Sequence, residues 1–376
     1  MTITMKLPDR ICWFASILIA AVLSSSCGKE ELPVPADTTP ASVYKYGLKD
    51  LARANGLVIG AEFSYATYQK DDSLEVVLRR DFDAVTFGNE MKHDNIVKSS
   101  GQFDFSKADV MSGWTRGCGL ELFGHTLGWH SQQQTDYLNR LISGAADAQE
   151  ADALVRKAHK SWVEAMVGHF DVYGWDVVNE VFTDSGEWRG RDDIDTGEYH
   201  KFDWGSHYPG GTKGFVDSAF HNARVALEST GRSADLYIND YNLEWSSAKL
   251  EALCSYAESN PDVTGVGTQM HVNSDVNRDK VRLMLQRMAA TGKKVRISEL
   301  DVAQAGVDQG ETIVYIFDQY LRIVPEAQRG GITFWGVSDR NSWRGSEKAP
   351  LLYDSRYRRK DAYLKLHAFL LERSGL

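Results

Sequence analysis

The chain has 376 residues, of which 43% are hydrophobic, 25% charged and 11% aromatic, with 10 Trp, 16 Tyr and 15 Phe. That length and apolar share are enough for one large domain or two modest ones, and they exclude a mainly disordered or fibrous protein. Its 42 basic and 52 acidic residues give a formal net charge of -10, which argues against a non-specific nucleic-acid surface, since that needs a cationic field.

Lys6 and Arg10 precede an apolar run, Ile11 to Leu23, interrupted only by Ser16. Such a run is too short to span a bilayer comfortably and has the length of a signal-peptide core. Ser24, Ser25, Ser26 and Cys27 follow, in the manner of a bacterial lipoprotein cleavage box, although Leu23 stands one position further from the Cys than such boxes place their aliphatic residue. The expectation is removal of residues 1–26 as a lipoprotein-type signal peptide, with Cys27 becoming a lipidated N-terminus. The alternatives are ordinary secretion after cleavage nearby and a retained anchor. Several acyl chains on one Cys hold a protein to a membrane more firmly than one chain does. Residues 28–41, GKEELPVPADTTPA, carry three Pro and no long apolar run. Residues 27–42 therefore read as a flexible tether, and 43–376 as a single domain.

From Val43 onward, short apolar or β-branched runs with polar ends alternate with longer helix-like stretches. The candidate strands are 58–63, 84–90, 122–130, 174–180, 235–241, 265–271, 295–302 and 331–337. ALVRKAHKSWVEAMVGHF and KVRLMLQRMAATG have the apolar spacing of intervening helices, and ADVMSGWTRG, before the third strand, is a weaker helical candidate. Eight strands in this order imply an α/β fold, the (β/α)8 TIM barrel, with an open α/β sheet as the structural rival. A polar residue at the C-terminal edge of nearly every strand favours the barrel, because catalytic groups gather at that edge.

The fourth strand ends in Asn179-Glu180, and the seventh carries Glu299 with Asp301 two residues later. A carboxylate at the end of an apolar strand needs a partner or a purpose. Gln269 and His271 on the sixth strand share a side by strand periodicity, as do Glu299 and Asp301. His271 is therefore placed to bond Glu299 and Asp301 through its two ring nitrogens, unless these groups are plain salt bridges at the barrel mouth. Trp129-His130 ends the third strand, Trp335 lies in the eighth and Trp343 follows it. Indoles beside carboxylates suit flat ligands with apolar ring faces, and sugars meet that description. Trp162 and Trp175 read as core.

The segments FGNEMKHD, GHTLGWHSQ, WDVVNE, INDYN, GVGTQMH, ISELDV and TFWGVSDRNSWR together resemble glycoside hydrolase family 10, the endo-β-1,4-xylanases, over roughly residues 43–372 and in the same order. The resemblance implies an exported endo-1,4-β-xylanase that cleaves internal bonds of xylan or xylooligosaccharides by retaining double displacement, with no cofactor and no metal. Glu180 matches the family's acid/base and Glu299 its nucleophile, two carboxylates about 5 Å apart. Asn179 matches the residue that bonds the sugar 2-hydroxyl, His271 the bridge from Asp301 to Glu299, and Gln269 a neighbour of the nucleophile. Asn89, Lys92, Trp129 and His130 match the glycone-side wall, Trp335 and Trp343 the indoles over the glycone subsites, and Tyr241 the aromatic under the leaving-group sugar. His125 matches a family histidine for which a structural hydrogen bond is at least as good a role. Asn239 and Trp245 carry no assignment.

Three departures stand out. Where the family usually has Pro-Glu-Asn-Glu-Met-Lys-Trp, this chain has Phe87-Gly88-Asn89-Glu90-Met91-Lys92-His93, so the Glu that grips the second glycone sugar is Gly88. Glu62, near the end of the first strand, is a candidate for the vacant space, or else a salt-bridge residue at the mouth. Ser131-Gln132 is followed by Gln133-Gln134-Thr135 where the family often has a Pro and a Trp. The loop from Asp184 to Gly214 is long and Gly-rich, with Trp188, Tyr199, Trp204 and Tyr208. It is expected to shape the aglycone side or admit a decorated chain, or to be an exposed insertion.

Cys118 and Cys254 read as buried free thiols, and the ten His show no metal-ligand spacing. The alternatives in function are another retaining β-glycanase or exo-acting enzyme on the same barrel, and an inactive carbohydrate-binding lipoprotein. The expected setting is the outer membrane or cell surface, with a periplasmic or secreted protein as the alternative. A monomer anchored through Cys27 beside an oligosaccharide uptake system fits that setting.

Overall fold

The computed structural model describes residue 43 and residues 45–376, apart from 71 and 199. The proposed signal peptide, Cys27 and the tether lie outside the described residues, as does Tyr199. All described residues belong to one compact unit.

Nine strands are present among them: β1 (Ile59–Phe63), β2 (Ala84–Phe87), β3 (Glu121–Gly128), β4 (Gly174–Asn179), β5 (Asp235–Asp240), β6 (Gly265–Thr268), β7 (His271–Asn273), β8 (Lys294–Ala303) and β9 (Arg329–Phe334). Consecutive strands from β1 to β6 pair in parallel, β6 pairs with β8 from Gly265↔Lys294 to Thr268↔Ile297, and β9 returns to β1. Eight strands thus close a parallel barrel with helices around it, the (β/α)8 architecture. The expected sixth strand, 265–271, is two pieces. Its backbone turns at Met270, which has a φ of 62°, and β7 then pairs with the far end of β8, His271 opposite Asp301.

Strand alternation sorts the two faces. On β1, Phe63 packs outward, 5.5 Å from Phe87 and 5.4 Å from Trp114 between ring centres. Inside the barrel, the Arg296 guanidinium lies 3.4 Å from the centre of the Phe123 ring and donates to Thr86 and Thr333 hydroxyls at 3.2 and 2.7 Å. Glycines make room for the largest rings. A Cβ on Gly124 would meet Trp175 at 2.1 Å, and one on Gly265 would meet Tyr237 at 2.3 Å. Trp162 and Trp175 are core residues, 1% and 0% exposed.

Several of the helices start where short polar side chains satisfy free backbone donors. Asp147 accepts from Glu150 N ahead of helix 148–169, Asn277 from Lys280 N ahead of helix 278–290, and Asp308 from Glu311 N ahead of helix 309–323. The weaker candidate before β3 is helical over Ser106–Gly117. Buried Asp81 joins segments far apart in sequence: it accepts from Leu48 N at 2.9 Å, from Tyr363 Oη at 2.8 Å and from Tyr353 Oη. Cys118 and Cys254 are buried free thiols, and burial pushes the Cys254 thiol up to about 12.

At the C-terminal mouth, Glu180, Asn242 and Met270 have φ of 59°, 60° and 62°. Left-handed backbone at an ordinary residue costs about 1–2 kcal/mol. It persists here because each turn redirects polar side chains from a strand end into the same opening.

Candidate active site

A cleft of about 510 Å³ opens at this mouth, and Glu180, Glu299, Asn179, Gln269, His271, Lys92, Trp129, Tyr241, Trp335 and Trp343 all line it. Glu299, on β8, is 4% exposed. Asn239 Nδ2 donates to its Oε1 at 3.1 Å, and His271 Nε2 approaches its Oε2 at 3.3 Å. The other ring nitrogen, His271 Nδ1, lies 2.7 Å from Asp301 Oδ2. The bridging geometry anticipated from residue spacing is therefore present, although a backbone break at Met270, not plain strand alternation, delivers His271.

Electrostatics follow from this geometry. Burial opposes a charge on His271, yet the hydrogen bonds and negative charges of Asp301 and Glu299 prevail and raise its pKa to about 9. His271 is thus an imidazolium at neutral pH and donates from both nitrogens. Burial also opposes ionisation of Glu299. The His271 hydrogen bond and the charges of His125, His271 and Lys92 overcome it, holding this carboxyl below its usual value. Asp301, wholly buried, accepts further bonds from Trp343 Nε1 and Arg344 Nη1, both at 2.8 Å.

Glu180 follows β4 and is held differently. Gln269 Nε2 donates to its Oε1 at 3.0 Å and Asn179 Nδ2 at 3.3 Å. Its backbone N donates to Asn239 O at 2.9 Å, while its carbonyl accepts from Arg189 Nε at 2.9 Å. Arg189 Nη2 also donates to Tyr241 Oη at 3.0 Å and to Phe182 O at 3.1 Å. Beneath Tyr241, fully buried Lys249 lies 3.6 Å from the ring centre and 2.7 Å from buried Asp240. Asn239 links the two carboxylates, since its Nδ2 also donates to Asn179 Oδ1 at 3.0 Å and its Oδ1 accepts from Ser298 Oγ at 2.7 Å.

On the opposite wall, Lys92 Nζ lies 4.9 Å from the Trp129 ring centre and donates to Gln132 Oε1 at 2.6 Å, while Gln132 Nε2 donates to Asn89 Oδ1 at 3.1 Å. Burial lowers the Lys92 pKa against the pull of Glu299, Glu62, Glu180 and Asp94. Asn89 reaches this wall through Gln132 and does not line the cleft. His130 also lies outside it, in a small space behind Trp129 and Glu180, where burial lowers it to about 3. His125 lines the cleft and pairs with Asp176 at 2.8 Å. Trp335 stands one residue beyond the end of β9 and packs against His125 and His271.

The long loop after β4 divides in two: 191–198 is exposed apart from Ile194, while its aromatic residues on either side are strapped to the barrel. Trp188 packs on Phe182, Trp204 stacks on Phe215 and donates to Trp129 O, and Tyr208 Oη meets His159 Nδ1 at 3.3 Å. Its aromatic residues therefore brace the mouth from below, while Arg189 reaches the acid/base candidate. Residue spacing did not reveal Asn239, Arg189, Gln132 or Arg344 as parts of this site. Asn239 and Arg344 stood inside recognisable segments, INDYN and NSWR, and in that sense left a signal. Among the described residues, no group of three or more His, Cys, Asp or Glu side chains is arranged to hold a metal.

A family model described as "Glycosyl hydrolase family 10" matches residues 47–368. Endo-1,4-beta-xylanase A of Cellvibrio japonicus is 30% identical over 347 residues, covering 82% of this chain and 54% of that protein. Exoglucanase XynX of Acetivibrio thermocellus is 28% identical over 299 residues, 75% of this chain and 26% of that protein. Among solved structures, xylanase 10C from Cellvibrio japonicus in complex with xylopentaose superposes with a TM-score of 0.74 at 26% identity, covering 87% of this chain and 69% of that one. The chain spans between about a quarter and just over half the length of these two curated relatives.

Proposed function

The chain belongs to glycosyl hydrolase family 10, and on that premise we propose that it is an endo-1,4-β-xylanase acting by retention. One observation carries the reading. A single indole-lined cleft holds one carboxylate pinned between Asn239 and an imidazolium, and a second held by two side-chain amides. The first environment favours an ionised nucleophile, and the second keeps a carboxyl aimed at a leaving oxygen.

In the first half-reaction Glu299 attacks the anomeric carbon, and Glu180 gives its proton to the departing glycosidic oxygen. A covalent glycosyl-enzyme forms. Glu180 then takes a proton from water as that water attacks the same carbon, and Glu299 leaves as a carboxylate. Asn179 is placed to bond the sugar 2-hydroxyl. Trp335 and Trp343 wall the glycone side, and Tyr241 lies under the leaving-group sugar. Indoles close to that site favour xylose, which lacks the hydroxymethyl of glucose.

Product analysis on xylan, mixed-linkage glucan and cellulose tests the proposal, with E180A and E299A as controls. Short oligomers from xylan, lost in E299A, are the expected result. Activity on glucan alone would defeat the substrate assignment, and that outcome is the one favoured by likeness to a relative named as an exoglucanase. A first-formed α-product by NMR would overturn retention.

Export and lipid anchoring through Cys27 belong to the same proposal, supported by the apolar run 11–23 and the small residues before Cys27. Fatty-acid labelling that persists in C27S would refute it. A monomer at the outer membrane or cell surface, working beside an oligosaccharide uptake system, is the setting that follows.

A further inference from the structure

Gly88 and Glu62 compete for one volume. A Cβ built on Gly88 would lie 2.0 Å from Glu62 Oε1, 3.0 Å from its Cδ and 3.4 Å from its Cγ. The backbones are fixed relative to each other, because Gly88 N donates to Phe63 O at 3.0 Å and Phe63 pairs with Phe87. Any side chain at position 88 would therefore displace the Glu62 carboxyl.

Glu62 faces the barrel mouth. Strand alternation places it on the side of Gly60, whose own Cβ would strike Thr333 Oγ1, a hydroxyl bonded to Arg296 inside the barrel. It is partly buried, and no hydrogen bond or ion pair within the described residues engages its carboxyl. Its charged neighbours are Lys92, Glu90 and Glu299, and two of these, Lys92 and Glu299, line the cleft, behind whose lining Glu62 itself stands. Crowding by protein raises its pKa to about 8, Glu90 and Glu299 adding to the rise and Lys92 opposing it. A carboxyl in such a place without a protein partner is costly to keep unless something else bonds it.

The geometry points to Glu62 as a substrate-binding residue that bonds a hydroxyl of the glycone sugar one unit beyond the cleaved one, occupying the volume that Gly88 leaves open beside Lys92. It rests on the glycosidase reading above. The partner is a neutral pyranose hydroxyl, which both accepts from and donates to a carboxyl and needs no compensating charge. Lys92 and the Gln132–Asn89 pair lie along the same wall.

The test compares kcat/KM on an aryl β-xylobioside, which fills two glycone positions, with that on an aryl β-xyloside, which fills one. The ratio of the two isolates the outer sugar and cancels general losses of fold or chemistry. In E62A the ratio falls at least fivefold, about the size expected for a hydrogen bond to a carboxyl group. G88A lowers it similarly, because its Cβ takes the carboxyl's place, and the E62A/G88A double variant matches E62A alone. A smaller fall in E62A, or a further fall on adding G88A, overturns the assignment. Wild-type hydrolysis of xylan reads the underlying function separately. A wild type active on xylan with an unmoved ratio in E62A sinks only the Glu62 role, whereas a wild type inert on xylan and both aryl substrates sinks both.

Discussion

Replacing His271 by Ala removes the cation that keeps Glu299 ionised. Asp301 retains Trp343 Nε1 and Arg344 Nη1, both at 2.8 Å, so it still has donors. Glu299 keeps only the Asn239 amide at 3.1 Å among its direct donors, in a pocket where burial disfavours its charge. A hydrogen bond to a charged group contributes about 1.5–3 kcal/mol. At 1.36 kcal/mol per pH unit, that raises the Glu299 pKa by roughly 1–2 units. The acidic limb of kcat/KM, which reports the free enzyme, therefore moves up by this amount, measured on a soluble aryl substrate from acid to neutral pH. Stability gives a second readout with a definite sign. The folded pKa of His271, about 9, lies above its ordinary 6.5. Its contribution is therefore full below pH 6.5 and is lost as the pH rises through about 9, a span worth roughly 3 kcal/mol. Chemical denaturation at pH 7 and pH 10 should show a wild-type loss that H271A lacks. An acidic limb within about 0.3 units of wild type would refute the account of how Glu299 is held.

Three other outcomes follow from named contacts. E180A should lose about 10²–10⁴-fold on xylan, and much less in forming the glycosyl-enzyme from an activated aryl substrate whose leaving group needs no proton. Steady-state and burst kinetics separate these steps. K249A leaves Asp240 buried without its cation and should cost about 3–5 kcal/mol in urea unfolding, whereas a D240N/K249M pair recovers a substantial part. R189A frees the Glu180 carbonyl and the Tyr241 hydroxyl together, and kcat/KM on xylan should fall about tenfold or more while melting changes little. An unchanged rate in R189A would show that the strap is purely structural.

How far the sequence could be read depended on whether the information was local. Runs such as AVTF and GITF have no good alternative to a buried strand, so the eight-strand order was legible. Glu180 and Glu299 stood out because a carboxylate at the end of an apolar run needs a reason. The turn at Met270 did not stand out, since nothing in Gln-Met-His marks a left-handed residue. It is imposed by β7 pairing beyond the place where β6 stops. Asn239 stood in a recognisable segment, INDYN, but its role was not legible for a similar reason, because it depends on Asn179 of the adjacent β4 and Glu299 of β8, two strands away, coming within reach. The loop aromatics were visible, but whether Trp188 and Trp204 met a ligand or the protein was decided by Phe182 and Phe215, residues on separate elements.

The strap formed by Arg189 also bears on how this barrel can be re-engineered. Loops at the mouth of such folds are usually treated as cassettes, to be exchanged for new specificity while the scaffold stays constant. Here the segment between Phe182 and Phe215 carries the guanidinium that grips the backbone of Glu180, and its own Thr212 hydroxyl holds the Arg189 carbonyl at 2.6 Å. A graft that kept the loop's length and discarded those two residues would bring in its new surface at the expense of the acid/base mount. The transferable unit is therefore much smaller than the loop: residues 191–198, inside the clamp and short of Trp204 and Tyr208, which hold Trp129 and His159.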